Sequence, residues 1–268
     1  MRHKLVLTSA SVFAMSGFLA AAHAASLEDV CKTEDDQPPI TEDTKVTTSG
    51  NFSGDCRIEV ANARLEIRNV TLSINADGNG DDGELRIDDV TEDGGAAELV
   101  IKNANITTGD RFRIEGAWDA GVIFKNSHVD TGDDLRVRPS GSGDLVFKNN
   151  RGQVVDDIRL GDADEDGGLN GDMDVRNNRI TMVVDGDDPT EFLAQSFDGD
   201  INIRNNRFET LREIEITSFG DGDVSIRNNL FGDIVDSVAI ESTGGSCESK
   251  GNSPPSVNDF NNGGLACI

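Results

Sequence analysis

The stretch Gly143-Asp144-Leu145-Val146-Phe147-Lys148-Asn149-Asn150 recurs along the chain as the pattern G-D-x-x-x-[KR]-N-N. Further copies begin at Gly171, Gly199 and Gly222, at steps of 28, 28 and 23 residues. A fixed period of roughly 20 to 50 residues is the sequence signature of stacked repeat architectures. Apolar and polar residues alternate within each copy, between Gly-Asp and Asn-Asn. This alternation predicts a short, half-buried strand with a turn at each end.

The basic residue of this pattern can be followed through most of the chain. Its steps are mostly 23 residues, and inserted loops explain the longer ones. Because apolar residues such as Leu145 and Phe147 take the alternate positions of the strand and point inward, the basic side chain is predicted to lie on the outer face. This basic column consists of Arg68, Lys102, Lys125, Lys148, Arg176, Arg204, Arg227 and Lys250.

Each period contains two further apolar features. The first is a triplet of two apolar residues around a central residue, which is arginine in the early copies. The second is a single apolar position shortly after the Asn-Asn pair. Two or three short strands per period, with Gly and Asn corners, predict an all-β fold. We expect a parallel β-solenoid of about eight coils that stack because no coil buries its own apolar face. The arginine column is Arg57, Arg86, Arg113, Arg136 and Arg159.

The pattern x-h-x-h-[KR]-N-N-x-h, in which h is apolar, resembles the repeat of the pectate-lyase-like superfamily. The resemblance covers roughly residues 55–252 and implies a right-handed parallel β-helix with an asparagine ladder. It says little about function, because such solenoids host lyases, glycosidases, epimerases, adhesins and binding proteins. Asparagine tolerates a left-handed corner, and its amide can bond the Asn one coil away. The expected inward column is Asn69, Asn103, Asn126, Asn149, Asn177, Asn205 and Asn228.

Residues 1–24 are predicted to be a secretory signal. Arg2 and Lys4 precede an apolar stretch, and Ala22-His23-Ala24 is a small-residue cleavage site. The alternative is an uncleaved membrane anchor, although the apolar stretch contains serines and is short for a span. No later segment is apolar enough to cross a membrane, so we expect a secreted or periplasmic protein.

The remaining chain is divided into three parts. Residues 25–54 are interpreted as an N-terminal cap with a degenerate first coil, and residues 55–252 as the parallel β-helix. Residues 253–268, which are rich in Gly, Asn and Pro, are interpreted as a C-terminal cap loop. A short helix with Ser26 as its N-cap is expected in the N-terminal cap, because Glu28 and Asp29 would fall in its first turn.

The four cysteines, Cys31, Cys56, Cys247 and Cys267, all follow the predicted signal. Export to an oxidising compartment favours disulfides, and three pairings are possible. We favour Cys31 with Cys56 and Cys247 with Cys267, because the two ends of a solenoid lie far apart. Each bridge would then staple a terminal cap to a coil, and Cys247 is expected to face the core in register with Val224.

The formal net charge of −26 argues against nucleic acid and anionic membranes as general partners. It fits calcium binding, a saline habitat or simple solubility. Asp162, Asp164 and Asp166, followed by Gly167, have the alternate oxygen spacing of a calcium loop. The glutamate expected at position twelve is missing, so a solvated acidic loop is the competing interpretation. An earlier insertion has similar spacing at Asp77, Asn79 and Asp81.

Stacked like charges repel, so the basic column needs compensation. One possibility is that neighbouring outward acids, such as Asp144 and Asp172, neutralise it. The other is a cationic track for an acidic polysaccharide, with the arginine column as a second wall. The candidate ligand-binding residues are Lys102, Lys125, Lys148, Arg176, Arg204 and Arg227.

The leading functional hypothesis is a non-catalytic exported protein that binds an acidic polysaccharide, calcium or both, or serves as a surface or matrix component. The alternative is a polysaccharide lyase or related uronan-acting enzyme. Whether the protein is an enzyme stays open, because no coil stands out from its neighbours. His128 is interpreted as a surface turn residue, and a plain scaffold adapted to salt is the third possibility.

Overall fold

Three parallel sheets make up almost all regular structure in the computed structural model. It describes residues 23–31, 38–78, 82–91, 96–161, 168–184, 190–232 and 237–258, and the backbone of 261–262 and 265–266. We number the sheets 1, 2 and 3 in the order in which the chain visits them before it returns to sheet 1. One such circuit is called a coil. This arrangement is consistent with a parallel β-helix.

Sheet 1 contains the strands that end in the basic column. Neighbouring strands pair so that each basic residue faces the next, for example Lys125 with Lys148 and Lys148 with Arg176. The predicted register of this column is therefore confirmed. The strands are His23–Ala25, Thr44–Val46, Arg64–Arg68, Glu98–Lys102, Val122–Lys125, Leu145–Lys148, Met173–Arg176, Ile201–Arg204, Val224–Arg227 and Cys247–Lys250.

Sheet 2 follows the asparagine corner of each coil. Its inward residue is the apolar position predicted after the Asn-Asn pair, as in the pairing of Leu72 with Ile106. The strands are Gly50–Ser53, Thr71–Asn75, Asn105–Thr108, His128–Thr131, Arg151–Val155, Arg179–Val183, Arg207–Glu209 and Leu230–Phe231.

Sheet 3 contains the arginine column and completes each coil. The described residues form eight strands here, in agreement with the predicted number of coils. The sequence reading missed the apolar positions Phe192 and Ala194 of this sheet, because no arginine lies between them. The strands are Cys56–Val60, Leu85–Asp89, Phe112–Ala117, Leu135–Ser140, Ile158–Leu160, Glu191–Ser196, Glu213–Ser218 and Ser237–Ser242.

The remaining elements lie at the two ends of the chain. The helix Leu27–Val30 has Ser26 as its N-cap, as predicted, and Ser26 and Asp29 form a reciprocal capping box. At the other end, a 3-10 helix spans Pro255–Asn258, and Asn261–Asn262 pairs antiparallel with Leu265–Ala266. No described helix has the length and apolar character needed to cross a membrane.

The core is a narrow column of inward side chains from all three sheets. Two aromatic clusters run through it across neighbouring coils. Phe112, Phe124 and Phe147 meet edge to face, with ring centroids 5.8 and 5.4 Å apart. Phe208 and Phe231 stack with centroids 6.0 Å apart. Such contacts add to area burial, so register between coils is set by packing as well as by backbone hydrogen bonds.

The inward asparagine column was assigned to the wrong residue of each pair. The first Asn, such as Asn149, is exposed and has a left-handed backbone with φ of 56°. That conformation interrupts the alternation of the strand, so Lys148 and Asn149 both face outward and Asn150 turns inward. The expectation of a left-handed corner is confirmed, but the buried ladder belongs to the second Asn.

The buried ladder consists of Asn150, Asn178, Asn206, Asn229 and Asn252. The Asn206 amide shows the pattern of its members. Its Nδ2 donates to the carbonyl oxygen of Val175 at 2.9 Å and to Oδ1 of Asn229 at 3.0 Å. Its Oδ1 accepts from the backbone and side-chain nitrogens of Asn178, both at 2.9 Å. Every hydrogen bond of the Asn206 amide thus joins one coil to the next.

The disulfide predictions are confirmed in part. Cys31 and Cys56 are bonded across 25 residues, which ties the capping helix to sheet 3. Cys247 pairs in register with Val224, is buried as predicted and is disulfide-bonded. Cys267 lies outside the described residues, so its pairing with Cys247 stays a prediction.

Replacing Asn206 by Ala is expected to lower the free energy of unfolding by about 2 to 4 kcal/mol, because buried partners in two neighbouring coils lose their hydrogen bonds. Its exposed neighbour Asn205 is a matched control. Asn205→Gly keeps the left-handed corner accessible and is expected to change stability by less than about 1 kcal/mol. Urea unfolding of both variants tests this. Equal losses would mean that the corner, and not the buried ladder, holds the coils together.

Candidate functional site

A groove of about 890 Å³ runs along the corner between sheets 1 and 2, across coils two to five. We call it the corner groove. On one side it borders the ends of sheet 1 strands, each of which ends in a basic residue. On the other side it borders the first residues of the sheet 2 strands. Its lining residues are Asn69, Val70, Thr71, Asn103, Ala104, Asn105, Asn126, Ser127, His128, Asn149 and Arg151.

The groove follows from the left-handed corners. Exposed asparagine side chains stand one above another, and some of their amides bond between coils. Nδ2 of Asn103 donates to Oδ1 of Asn69 at 3.0 Å, and Nδ2 of Asn149 donates to Oδ1 of Asn126 at 2.9 Å. The buried position beside them is small in two of these coils, where Ala104 and Ser127 replace the larger Asn found later. The site therefore offers a row of amide groups to a ligand.

One end of the basic column is neutralised by Glu66. This carboxylate lies 2.7 Å from Nζ of Lys102, 3.4 Å from a guanidinium nitrogen of Arg68 and 4.0 Å from Nζ of Lys45. Partial burial raises the pKa of Glu66, but the hydrogen bond and charge of Lys102 and the other two cations outweigh burial and leave the pKa below its ordinary value. The positive charge of Lys102 is therefore compensated by Glu66 within the protein.

The later part of the basic column is also paired with acids. Asp174 lies 3.1 Å from Arg176 and 3.8 Å from Arg204, and Arg227 is bonded to Glu248. These acids occupy the outward position two residues before the basic residue, on the same strand or on the strand of a neighbouring coil. Three of the six proposed ligand-binding residues are thus already in ion pairs at this end.

Lys125 and Lys148 differ from the rest of the column. Among the described residues, no carboxylate lies within 4.0 Å of either ammonium group. Ile123 and Val146 occupy the outward position that holds Asp174 in the next coil, so these two coils lack the compensating acid. Lys250 is likewise without a described carboxylate partner, but it lies at the last strand of sheet 1, away from the corner groove.

Two groove residues were missed or misread from the sequence. Arg151 begins a strand of sheet 2, is exposed and has no carboxylate within 4.0 Å among the described residues. His128, interpreted as a turn residue, instead begins the neighbouring strand and pairs with Arg151 in the ladder. Its Nε2 lies 2.8 Å from a carboxylate oxygen of Asp130. The signal for Arg151 was its place directly after the Asn-Asn pair.

The outward aspartates at the strand starts do not neutralise the basic column. Their carboxylates instead accept hydrogen bonds from backbone amides one coil on, as Asp144 does from the nitrogen of Asp172 at 3.0 Å. The last of them, Asp223, accepts from the backbone nitrogen of Ser246, and this bond lowers its pKa. These acids close the corner between sheets 3 and 1.

The arginine column, expected as a second wall, lies on the outer face of sheet 3 and does not line the corner groove. Acids neighbour it closely. Arg86 lies 2.8 Å from Asp88 and 3.1 Å from Glu115, and Arg159 lies 2.7 Å from Asp157. This column is therefore part of an ionic ladder that joins coils.

The proposed calcium ligands Asp162, Asp164 and Asp166 lie outside the described residues, as do Asn79 and Asp81 of the earlier loop. Among the described residues, Asp133, Asp134 and Asp156 have ligand atoms within 4.8 Å of one another. Asp134 of this group is bonded to Arg136, so part of its charge is compensated by the protein.

No protein-family model, no curated protein and no solved structure matches this chain. What the structure shares with the pectate-lyase-like superfamily is the stacking of parallel strands in three sheets.

Proposed function

We propose that this chain is an exported, right-handed parallel β-helix that binds an acidic polysaccharide in the corner groove. The observation that supports this most is the group Lys125, Lys148 and Arg151, whose charges have no described acidic partner. Right-handedness agrees with the strong preference of parallel crossover connections for that hand. Export agrees with the signal-like N-terminus and the Cys31–Cys56 disulfide.

The spacing of the cations favours a linear anionic ligand. Lys125 and Lys148 are ladder partners on adjacent strands, so their backbones lie about 4.8 Å apart along the solenoid axis. The repeat of an acidic polysaccharide is comparable, so successive carboxylates can meet successive lysines. Arg151 faces the ligand from the opposite wall, where its planar guanidinium can bind a carboxylate through two hydrogen bonds.

The amide row supplies the second requirement of a glycan site. Sugar hydroxyls both donate and accept hydrogen bonds, and each Asn side chain offers a carbonyl oxygen and an NH₂ group. Asn126 and Asn149 line the groove and directly follow Lys125 and Lys148 in the chain. The groove therefore pairs neutral hydrogen bonding with a local positive charge.

The net charge of −26 does not prevent such binding. Exposed charges are largely screened beyond about 8 Å at physiological ionic strength, so distant acids act weakly on a ligand in the groove. Contact charges are screened less. The negative surface outside the groove would instead disfavour binding of the polyanion elsewhere on the molecule, which restricts it to this corner.

Replacing Lys125 and Lys148 together by Gln is expected to weaken tetragalacturonate binding by about tenfold or more, because a hydrogen bond to a charged group is worth about 1.5 kcal/mol or more. Isothermal titration calorimetry measures this. Affinity is also expected to fall as salt is added. Arg151→Gln is expected to weaken binding in the same direction.

Arg204→Gln is the matched control, since Arg204 belongs to the same column but is paired with Asp174. It is expected to change affinity by less than about twofold, because surface charges outside a site contribute little. An equal loss in this variant would mean that the whole column binds. No binding of tetragalacturonate or of a sulfated oligosaccharide to the unmodified protein would refute the proposal.

Calcium at Asp162, Asp164 and Asp166 is retained as a separate proposal. If the loop binds Ca²⁺ only when folded, calcium should raise the melting temperature and a chelator should reverse the rise. Asp164→Asn is expected to abolish the effect, whereas Asp221→Asn, at an exposed corner elsewhere, is expected to preserve it. A melting temperature that responds equally to sodium and calcium would favour general salt dependence.

A uronan lyase is the second candidate, and one observation favours it. His128 lies in the corner groove and is held by Asp130, so a group able to accept a proton stands near the cations that would bind the carboxylate. Such an enzyme should produce the absorbance of unsaturated uronate from pectate or alginate. His128→Gln should abolish this signal. No absorbance change with either substrate would exclude this candidate.

A further inference from the structure

His128 occupies a distinctive place in the corner groove. It lies between Asn105 and Arg151 in the ladder of sheet 2, at the first residue of its strand. Its side chain is 35% exposed, and its Nε2 lies 2.8 Å from Oδ2 of Asp130, the distance of a hydrogen bond. Histidine is the side chain that ordinarily changes charge between about pH 5 and 8. A groove that is lined by Arg151, and whose lining residues Asn126 and Asn149 directly follow Lys125 and Lys148, therefore also contains a side chain of a type whose charge can change with pH.

The charged groups around this imidazole are of both signs. Asp130, two residues on along the same strand, contacts the ring. Arg151 is its ladder partner on the next strand, and Lys125 and Lys148 end the sheet 1 strands of the same two coils. The other ladder neighbours of His128 and Asp130 on the adjacent strands are neutral and are Asn105, Thr107 and Gln153.

An anion in the groove would change this balance. It would place negative charge beside Arg151, the ladder partner of His128, and it would attract a protonated imidazole directly. An opposite charge within about 4 to 6 Å favours the charged form of a titratable group. Ligand binding and proton binding should therefore support each other, since each site alters the affinity of the other by the same factor.

We propose that His128 couples binding of the acidic glycan to uptake of a proton, so that affinity rises as pH falls through the range in which histidine titrates. This inference rests on the proposed glycan-binding function. The bound ligand raises the proton affinity of the imidazole. The gain in binding is therefore full at low pH and is lost as pH rises above the titration of the ligand-bound state. The carboxylates of the glycan stay ionised throughout this range.

Calorimetry with tetragalacturonate tests the coupling directly. Near pH 6.5, the observed heat in two buffers with different ionisation enthalpies gives the number of protons taken up. The unmodified protein is expected to take up a fraction of one proton. Its affinity is expected to be about three- to tenfold higher at pH 5.5 than at pH 7.5, since a one-unit shift in titration corresponds to a tenfold change.

Two variants identify the group. His128→Gln keeps a hydrogen-bonding side chain but has no proton to exchange, so uptake should vanish and affinity should lose its pH dependence. Asp130→Asn removes the carboxylate that supports the imidazolium, so proton uptake should persist but reach its maximum at lower pH. A purely structural role for His128 would not abolish proton uptake in the first variant and shift its pH maximum in the second.

The outcomes separate this inference from the function on which it rests. Binding without proton uptake would overturn the coupling and leave glycan binding intact. Uptake that persists in His128→Gln would overturn the assignment to this residue. Failure of tetragalacturonate to bind at any pH between 5.5 and 7.5 would overturn both proposals at once.

Discussion

The rest of the structure depends on the left-handed backbone at the first asparagine of each corner. Most side chains disfavour positive φ because Cβ approaches the following carbonyl, and Asn tolerates it best after Gly. From Asn69 to Asn228, this residue has φ between 53° and 56° in each coil. It places two successive side chains outside and turns the next one inward. The buried amides can then reach the carbonyls of the neighbouring coil, and all three sheets keep one register.

This register has an electrostatic consequence. Because coils stack at about 4.8 Å, any charged position repeats as a column of like charges, which is unfavourable unless opposite charges lie beside it. Glu66, Asp174 and Glu248 supply those charges for most of the basic column. Lys125 and Lys148 lack them among the described residues. Two adjacent cations without compensation lower stability slightly, and an anionic ligand would remove that penalty.

Much of the fold could be predicted because a fixed period and an alternating pattern determine register. The error in the asparagine ladder arose because both residues of the pair are often Asn. The sequence did contain the distinction: the first position is Asn in coil after coil, as the left-handed corner requires, whereas Val70 and Ala104 occupy the second. An inward position accepts apolar residues, and a left-handed one does not. Residue variability along the repeat was therefore the better guide to burial.

Only part of the candidate site could be predicted from the sequence. Ile123 and Val146, in place of the acid found at Asp174, are visible in the repeat and mark the coils in which the lysines lack partners. That Arg151 and His128 line one groove with Asn126 and Asn149 depends on how the corner folds, which no residue pattern predicts. A column whose charges are all paired within the protein attracts a charged ligand only weakly. On a solenoid, a binding site for a charged ligand is therefore expected in the coils where the acid that pairs with the repeated basic residue is missing. This holds even when the rest of the repeat is regular.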